Sequence, residues 1–235
     1  MRKYSIYQIL TFALSLVVIT ETILLILLWI NRPRKIIKIP TIARGRIAII
    51  IDDWGYNLDN LYLALQIKYP FTVSILPKLE YSRVVASEFH KNGVQVILHL
   101  PMEPHEKLRL EKNTITASMG EQEIINIVGQ DLSDIHYARG VSNHMGSKGT
   151  EDLRIISIVL NELKRRNLFF VDSFVSPKTI CSYLAAKLRV GFAKRDVFLD
   201  NREGLEYIKG QIYQLKRKAL MYGHAIGIGH DRKVT

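Results

Sequence analysis

The sequence predicts a parallel α/β fold, a small or incomplete barrel of seven strands, standing behind one membrane-spanning helix. Three observations carry this. Apolar strand-like runs and amphipathic helical runs alternate from Arg46 to the C-terminus, the order that a parallel sheet with crossover helices requires. Seven strand candidates fall within roughly 190 residues, too few for a large barrel and well suited to one domain. The strand candidates also end repeatedly on an ionisable residue followed by loop, and in parallel α/β folds all such ends share one face.

The N-terminus comes first. Ile9 to Ile30 is a 22-residue, mostly apolar stretch, long enough to cross a bilayer as a helix. It contains one acid, Glu21, and Trp29 stands where an interfacial aromatic would. Asn31-Arg32-Pro33-Arg34-Lys35 follows with no small-x-small cleavage pattern, so the stretch reads as a retained signal anchor (1–30) and not a cleaved peptide. Residues 31–45, basic and broken by Pro33 and Pro40, form a linker, and 46–235 form the barrel domain. Arg2 and Lys3 precede the span while Arg32, Arg34, Lys35 and Lys38 follow it, which under the positive-inside rule leans toward a cytoplasmic domain. Single N-terminal anchors, however, most often precede exported domains. The expectation is a single-pass protein of the inner (cytoplasmic) membrane with its domain on the periplasmic or extracytoplasmic side.

Within the domain, Ile47-Ala48-Ile49-Ile50-Ile51 is a buried strand ending in Asp52-Asp53. Asn57 is positioned to cap a helix through Leu58, Leu61, Leu65 and Ile67. Phe71 to Leu76 is a strand closed by Pro77, Ser82 to Lys91 a helix stopped by Gly93, and Val94 to Leu98 a strand ending at His99. Leu100 to Gly120, with Pro101 and Pro104, is a long loop of the kind that tends to be functional. Ser118-Met119-Gly120-Glu121 has capping-box spacing and opens a helix carrying Ile124, Ile125, Ile127, Val128 and Leu132. Val141 to His144 is a short strand, and Thr150 is placed to cap the helix Glu151 to Arg166. Phe169 to Asp172 is a strand, Ser176-Pro177 leads to a helix through Leu188, and Val197-Phe198-Leu199 is a short strand region. Leu205 to Tyr222 is helical and Ala225 to Gly229 is the last strand, ending at His230.

Adjacent carboxylates repel, so keeping Asp52 and Asp53 both ionised at a partly buried strand end calls for a cation, a positive side chain or several backbone donors. The plain alternative is a strand end followed by an Asp-initiated turn. Recurrence decides against it: His99, His144, Asp172 and His230 also close apolar runs. An Asp with two His is a three-ligand set for zinc or a similar divalent ion, leaving a position open for water. Asp53, His99 and His144 supply the ligands, Asp52 a general base and His230 a general acid, an arrangement suited to hydrolysis of an amide or ester. His90, His105, His136 and His224 lack this context and read as ordinary surface or core histidines.

Other function classes fit poorly. The formal charge is +11, but the cations are spread along the chain without a long basic tract interleaved with aromatics, so nucleic acid is not an expected partner. A basic surface equally suits anionic envelope polymers or lipid headgroups. Cys181 is the only cysteine, which rules out an internal disulfide. Gly227-Ile228-Gly229 lacks the third glycine of a dinucleotide fingerprint, and there is no Gly-x-Ser-x-Gly elbow.

The motifs Ile50-Ile51-Asp52-Asp53-Trp54-Gly55-Tyr56-Asn57, Leu98-His99-Leu100-Pro101-Met102-Glu103-Pro104, Asn143-His144-Met145-Gly146-Ser147, Phe170-Val171-Asp172-Ser173 and Ile228-Gly229-His230 together resemble those of the divergent polysaccharide deacetylase family. The resemblance runs from about Arg46 to the C-terminus. It implies a distorted (β/α)7 barrel and a hydrolase dependent on a divalent metal such as zinc that removes N-acetyl groups from an acetylated envelope glycan. It places Asp52 at the base, Asp53 and His99 at the metal, His230 at the acid, and Asp172 at the carboxylate that orients a catalytic partner. Glu103, Asn143 and Ser147, inside the same motifs, are expected against the substrate.

Two departures matter. The main deacetylase group carries His-x-x-x-His where this chain has His99 and Glu103, so either Glu103 is itself a ligand or His144 replaces the missing histidine. His144 is preferred because a neutral imidazole leaves the metal more Lewis-acidic than a second carboxylate. Similar domains also continue past the final histidine with a further helix and strand, which implies a barrel lacking its closing piece. A non-catalytic protein binding a glycan or envelope partner, and an esterase on the same barrel, are the competing readings.

Overall fold

The computed structural model describes residues 20–23, 27 and 45–235. Contacts divide the chain into two bodies, 1–42 and 43–235. Of the expected span Ile9 to Ile30, only residues 20–23 and 27 are described, and they are helical; the rest of it and the linker lie outside the described residues. Among the described residues no helix is long and apolar enough to cross a membrane.

The second body is built on one parallel sheet: β1 (Arg46–Trp54), β2 (Thr72–Ile75), β3 (Gln95–Met102), β4 (Gly140–Met145), β5 (Phe169–Asp172), β6 (Phe192–Lys194), β7 (Val197–Phe198) and β8 (His224–His230). The spatial order is β6-β5-β4-β3-β2-β1-β8-β7, and every pairing is parallel. Only Arg195 and Asp196 separate the two edge strands in sequence. The Arg195 N–H donates to the Asp172 carbonyl on one side and the Asp196 N–H to the Ile226 carbonyl on the other. The sheet therefore curls until its edges meet within a single kinked segment. Seven strand positions were expected, and the structure has eight strands because the sixth is split at this kink. The same segment bonds β5 on one side and β8 on the other.

Period-two alternation sends one face of each strand into the barrel. Ile50, Ile97, Val171 and Ile228, from β1, β3, β5 and β8, pack there as one buried cluster. Ser74 of β2 and Ser142 of β4 meet across β3 with hydroxyls 2.6 Å apart. Two residues beyond Ile50, Ile97, Ser142 and Ile228 stand Asp52, His99, His144 and His230. The apolar plug and the polar mouth are successive layers of the same strands.

The outer face is covered by α1 (Leu61–Ala64), α2 (Ser82–Lys91), α3 (Glu121–Asp134), α4 (Leu153–Arg165), α5 (Cys181–Leu188) and α6 (Leu205–Tyr222). The main core runs beneath them, with Trp54 edge-on to Phe89 at 4.7 Å. Under α6, Leu215 would collide with a Cβ at Gly227, 2.7 Å away. The Gly-x-Gly of β8 thus serves close helix packing, while Ile228 between the glycines points inward.

Three helix starts differ from expectation. The Asn57 carboxamide oxygen accepts the Asp59 N–H, an Asx turn that bends the chain, and the helix shrinks to the single turn of α1. Ser118 pairs with the Thr116 hydroxyl, so no capping box forms and Gly120 precedes α3. Thr150 donates to the Gly146 carbonyl inside a 3-10 turn at Gly149–Glu151, and Asp152 caps α4 by accepting from Arg154 and Ile155 N–H at 2.9 and 3.0 Å.

Candidate functional site

Asp52 occupies the last regular position of β1 against β8, in register with His230. Strict alternation would send Asp53 to the opposite face. It does not, because Asp53 adopts φ 67° and the β1–β2 register shifts between Ile51 and Trp54. A non-glycine residue in the left-handed region costs on the order of 1 kcal/mol, and such strain clusters at functional sites. Gly55 completes the turn at φ 122°, where a Cβ would come within 2.9 Å of the Ser82 hydroxyl.

The kink brings Asp53 Oδ1 to 3.3 Å from His99 Nε2 and 3.1 Å from His144 Nδ1, while its Oδ2 lies 3.9 Å from His230 Nε2. Among the described residues, Asp53, His99 and His144 are the one set of three or more His, Cys, Asp or Glu side chains whose ligand atoms gather within 4.8 Å. His99 is buried, and its Nδ1 lies 2.8 Å from the Ser142 hydroxyl, which orients the ring with Nε2 toward Asp53.

Burial alone would raise the Asp53 carboxyl, but bonds from His144 and His99 and their charge outweigh it and hold Asp53 well below the usual carboxylate range. Burial pulls His99 down to about 4 against the opposing bond to Asp53, which keeps the imidazole neutral and its lone pair available. Asp52 goes the other way: burial first, then the adjacent Asp53 charge, push it well above its ordinary value, against a bond from Ser74 and the charge of Arg195. Two neighbouring carboxyls thus differ in proton affinity, Asp53 holding a proton weakly and Asp52 strongly.

Two polar atoms of the site lack protein partners. Asp52 Oδ1 and His144 Nε2 are buried without a hydrogen-bond partner, a costly state that a bound ion or water network relieves. One carboxylate and two imidazoles are a donor set that zinc accepts, so the residues present fit a divalent ion.

His230 is held by a carboxylate absent from the sequence reading. Asp200 accepts from His230 Nδ1 at 3.0 Å and from its backbone N–H at 2.8 Å, leaving Nε2 facing the mouth. These bonds, with one from Thr235, outweigh burial and lower the Asp200 carboxyl. Asp172 is fully buried and does not contact His230 by any hydrogen bond; its oxygens accept from Phe174 N–H and the Thr179 hydroxyl. Orientation of His230 therefore rests with Asp200. A signal for Asp200 was present, since it too ends an apolar run, Val197-Phe198-Leu199. Arg195, whose charge reaches both Asp52 and Asp172, carried none; it donates to the Ser173 and Phe174 carbonyls and stacks over Phe198 at 4.3 Å.

Glu103 stands apart from the three-residue cluster. It pairs with Lys148 at 2.6 Å and accepts the Ala117 N–H, and Lys148 first and that N–H second lower its carboxyl. Asn143 is fully buried, its amide joining Ser173 N–H to the Met145 carbonyl, so it positions the loop after β4. Ser147 lies on the rim, accepting from His105 N–H and donating to Glu106.

The sequence model of the divergent polysaccharide deacetylases matches residues 49–235. The chain belongs to this family. An Escherichia coli (strain K12) member, uncharacterized protein YibQ, is 37% identical over 196 residues, covering 83% of this chain and 61% of its own length. An uncharacterized protein of Haemophilus influenzae is 28% identical over 193 residues, or 82% of this chain and 69% of that one. The chain thus spans less than two thirds of the E. coli family member. Among solved structures, an uncharacterized protein of Agrobacterium tumefaciens C58 superposes with a TM-score of 0.77 at 20% identity, covering 81% of this chain and 78% of the other. That likeness shows that the barrel-like α/β fold is shared within this range of divergence.

Proposed function

We propose that this protein is a metal-dependent hydrolase that removes N-acetyl groups from an acetylated envelope glycan, anchored by its N-terminal segment in the inner membrane with the barrel on the extracytoplasmic side. The supporting observation is the convergence of Asp53, His99 and His144 with a proton acceptor, Asp52, and a braced imidazole, His230, at one barrel mouth of a deacetylase-family chain. When held by Asp53, His99 and His144, a divalent ion such as zinc supplies Lewis acidity toward the acetamide oxygen and lowers the pKa of a nearby water.

The residues of the chain divide the remaining work. Asp52, destabilised as a carboxylate by its surroundings, accepts the proton of the water that adds to the acetamide carbon. Ser74 and the charge of Arg195 oppose that shift. His230 presents Nε2 to the mouth and delivers a proton to the departing nitrogen as the C–N bond breaks, giving acetate and a free amine. Asp200 steadies the imidazolium that this role requires. Glu103 and Ser147 belong to the rim that meets the glycan.

The test is acetate release from N-acetylated chitooligosaccharides and peptidoglycan fragments by the full chain, with and without added zinc, beside acetyl esters. Zinc-dependent release from the amides, lost in Asp52→Asn, is the expected result. Zinc uptake with no turnover on any substrate would transfer the assignment to a glycan-binding protein, and preference for the esters would transfer it to an esterase.

A further inference from the structure

In a parallel barrel the strand starts lie opposite the strand ends, and here the two faces differ sharply in charge. The segments leading into five consecutive strands each carry an exposed cation: Lys68 before β2, Lys91 before β3, Arg139 before β4, Arg166 before β5 and Arg189 before β6, with Arg46 opening β1. The stretches 65–71, 92–94, 135–139, 166–168 and 189–191 contain no Asp or Glu. Asp53, Asp172, Asp200 and Glu103 lie at the other end, where strands exit. Helix dipoles account for cations in a last helical turn, but Lys68 and Arg139 lie beyond the ends of α1 and α3. Lys91 and Arg166 bond Glu88 and Glu162; the other four have no ion pair with an acid among the described residues.

The same face exposes apolar side chains. Tyr69, Met221 and Tyr222 are 82%, 65% and 66% exposed, and Ile47 stands beside the start of β8. Tyrosine and aliphatic tips set among lysines and arginines suit the headgroup–acyl boundary of a bilayer. The polypeptide enters the barrel here, at Gly45 packed on Ala219, fifteen residues after the apolar stretch Ile9 to Ile30.

We propose that the strand-start face is a docking surface for anionic lipid headgroups. Docked in this way, the barrel holds its mouth away from the bilayer by the length of β1, roughly 25 Å. The site then addresses polymer beyond the headgroup layer. This inference does not depend on the hydrolase reading.

The experiment uses the full chain in nanodiscs of phosphatidylcholine alone or with phosphatidylglycerol, bearing a fluorophore at Tyr69→Cys on the docking face or Leu108→Cys on the mouth loop, with quencher-labelled headgroups. The native Cys181 is buried and stays unlabelled. Quenching should be strong at position 69 only, and only in the anionic discs. Lys68→Gln, Arg139→Gln and Arg189→Gln should each lower the docked-to-free ratio about fivefold, and together on the order of a hundredfold. About 0.5 M salt should reproduce that loss in the unsubstituted protein, which guards against a folding defect in the triple variant. Quenching at 69 that is absent in anionic discs, or equal in both lipids and indifferent to salt, overturns the proposal. So does a doubled mass with the position-69 label shielded but unquenched, which would give the face to a second copy.

Discussion

Zinc should raise the melting temperature of this protein by an amount that the site geometry and domain size set. Asp53 Oδ1 lies 3.3 and 3.1 Å from ring nitrogens of His99 and His144, a grouping brought together from three strands that the unfolded chain cannot maintain. Under the proposed ligand set metal binds the folded state selectively, and at a free concentration about a hundred times its Kd it would stabilise that state by about 2.7 kcal/mol. A body of roughly 190 residues gains about 2–4 °C per kcal/mol, so the expected shift is about 5–11 °C. Scanning calorimetry of zinc-loaded against chelator-treated protein measures it directly. His144→Ala and Asp53→Asn should each remove most of the shift, whereas Glu103→Gln, outside the cluster, should keep it. No shift in the unsubstituted protein, or an undiminished one in His144→Ala, would refute the proposed ligand set.

Replacing Asp200 by Asn should lower kcat for acetate release about a hundredfold with KM little changed, since Nδ1 of His230 loses its anionic partner; steady-state kinetics on the amide substrates decide it. Buried Asp131, with one oxygen bonded to Asn113 and the other without a partner, is raised to about 6 by burial despite that bond. A carboxyl raised on folding stabilises least above its folded pKa, so the protein loses up to roughly 3 kcal/mol from this group as pH climbs from 4 through 6. Asp131→Asn should accordingly match the parent near pH 4 and exceed it in urea melts at pH 7; a difference independent of pH would sink this. Phe89→Ala, emptying a fully buried site between Trp54 and Phe71, should cost about 3–5 kcal/mol in the same melts. Gly227→Val should cost about 1–3 kcal/mol by forcing Leu215 off β8, and a neutral result would mean that α6 can shift.

Much of this architecture is legible along the chain because it is local. Alternating runs of apolar residues define each strand, and β2, β5, α2 and α6 lie where pattern and stop signals place them. Position along a strand also predicts the mouth: Asp52, His99, His144 and His230 each sit two residues past an inward residue, so a parallel barrel delivers all four to one end. Cap choice was less legible, because Asn57, Ser118 and Thr150 each have a nearby competing partner that only the folded loops reveal.

Tertiary structure alone decided the rest. Asp53 joins the cluster through a left-handed residue and a register slip in β1, contrary to the alternation that its sequence obeys. Asp200 reaches His230, and Arg195 the buried acids, because the chain kinks between β6 and β7 where it passes from β5 to β8. Glu103, four residues after the motif histidine in sequence, is drawn off by Lys148 from another loop. Sequence determines which side chains alternate and where strands stop, since those depend on neighbours a few residues away. Which of them meet depends on strand curvature, register and competing ion pairs, and these exist only once distant segments are packed together.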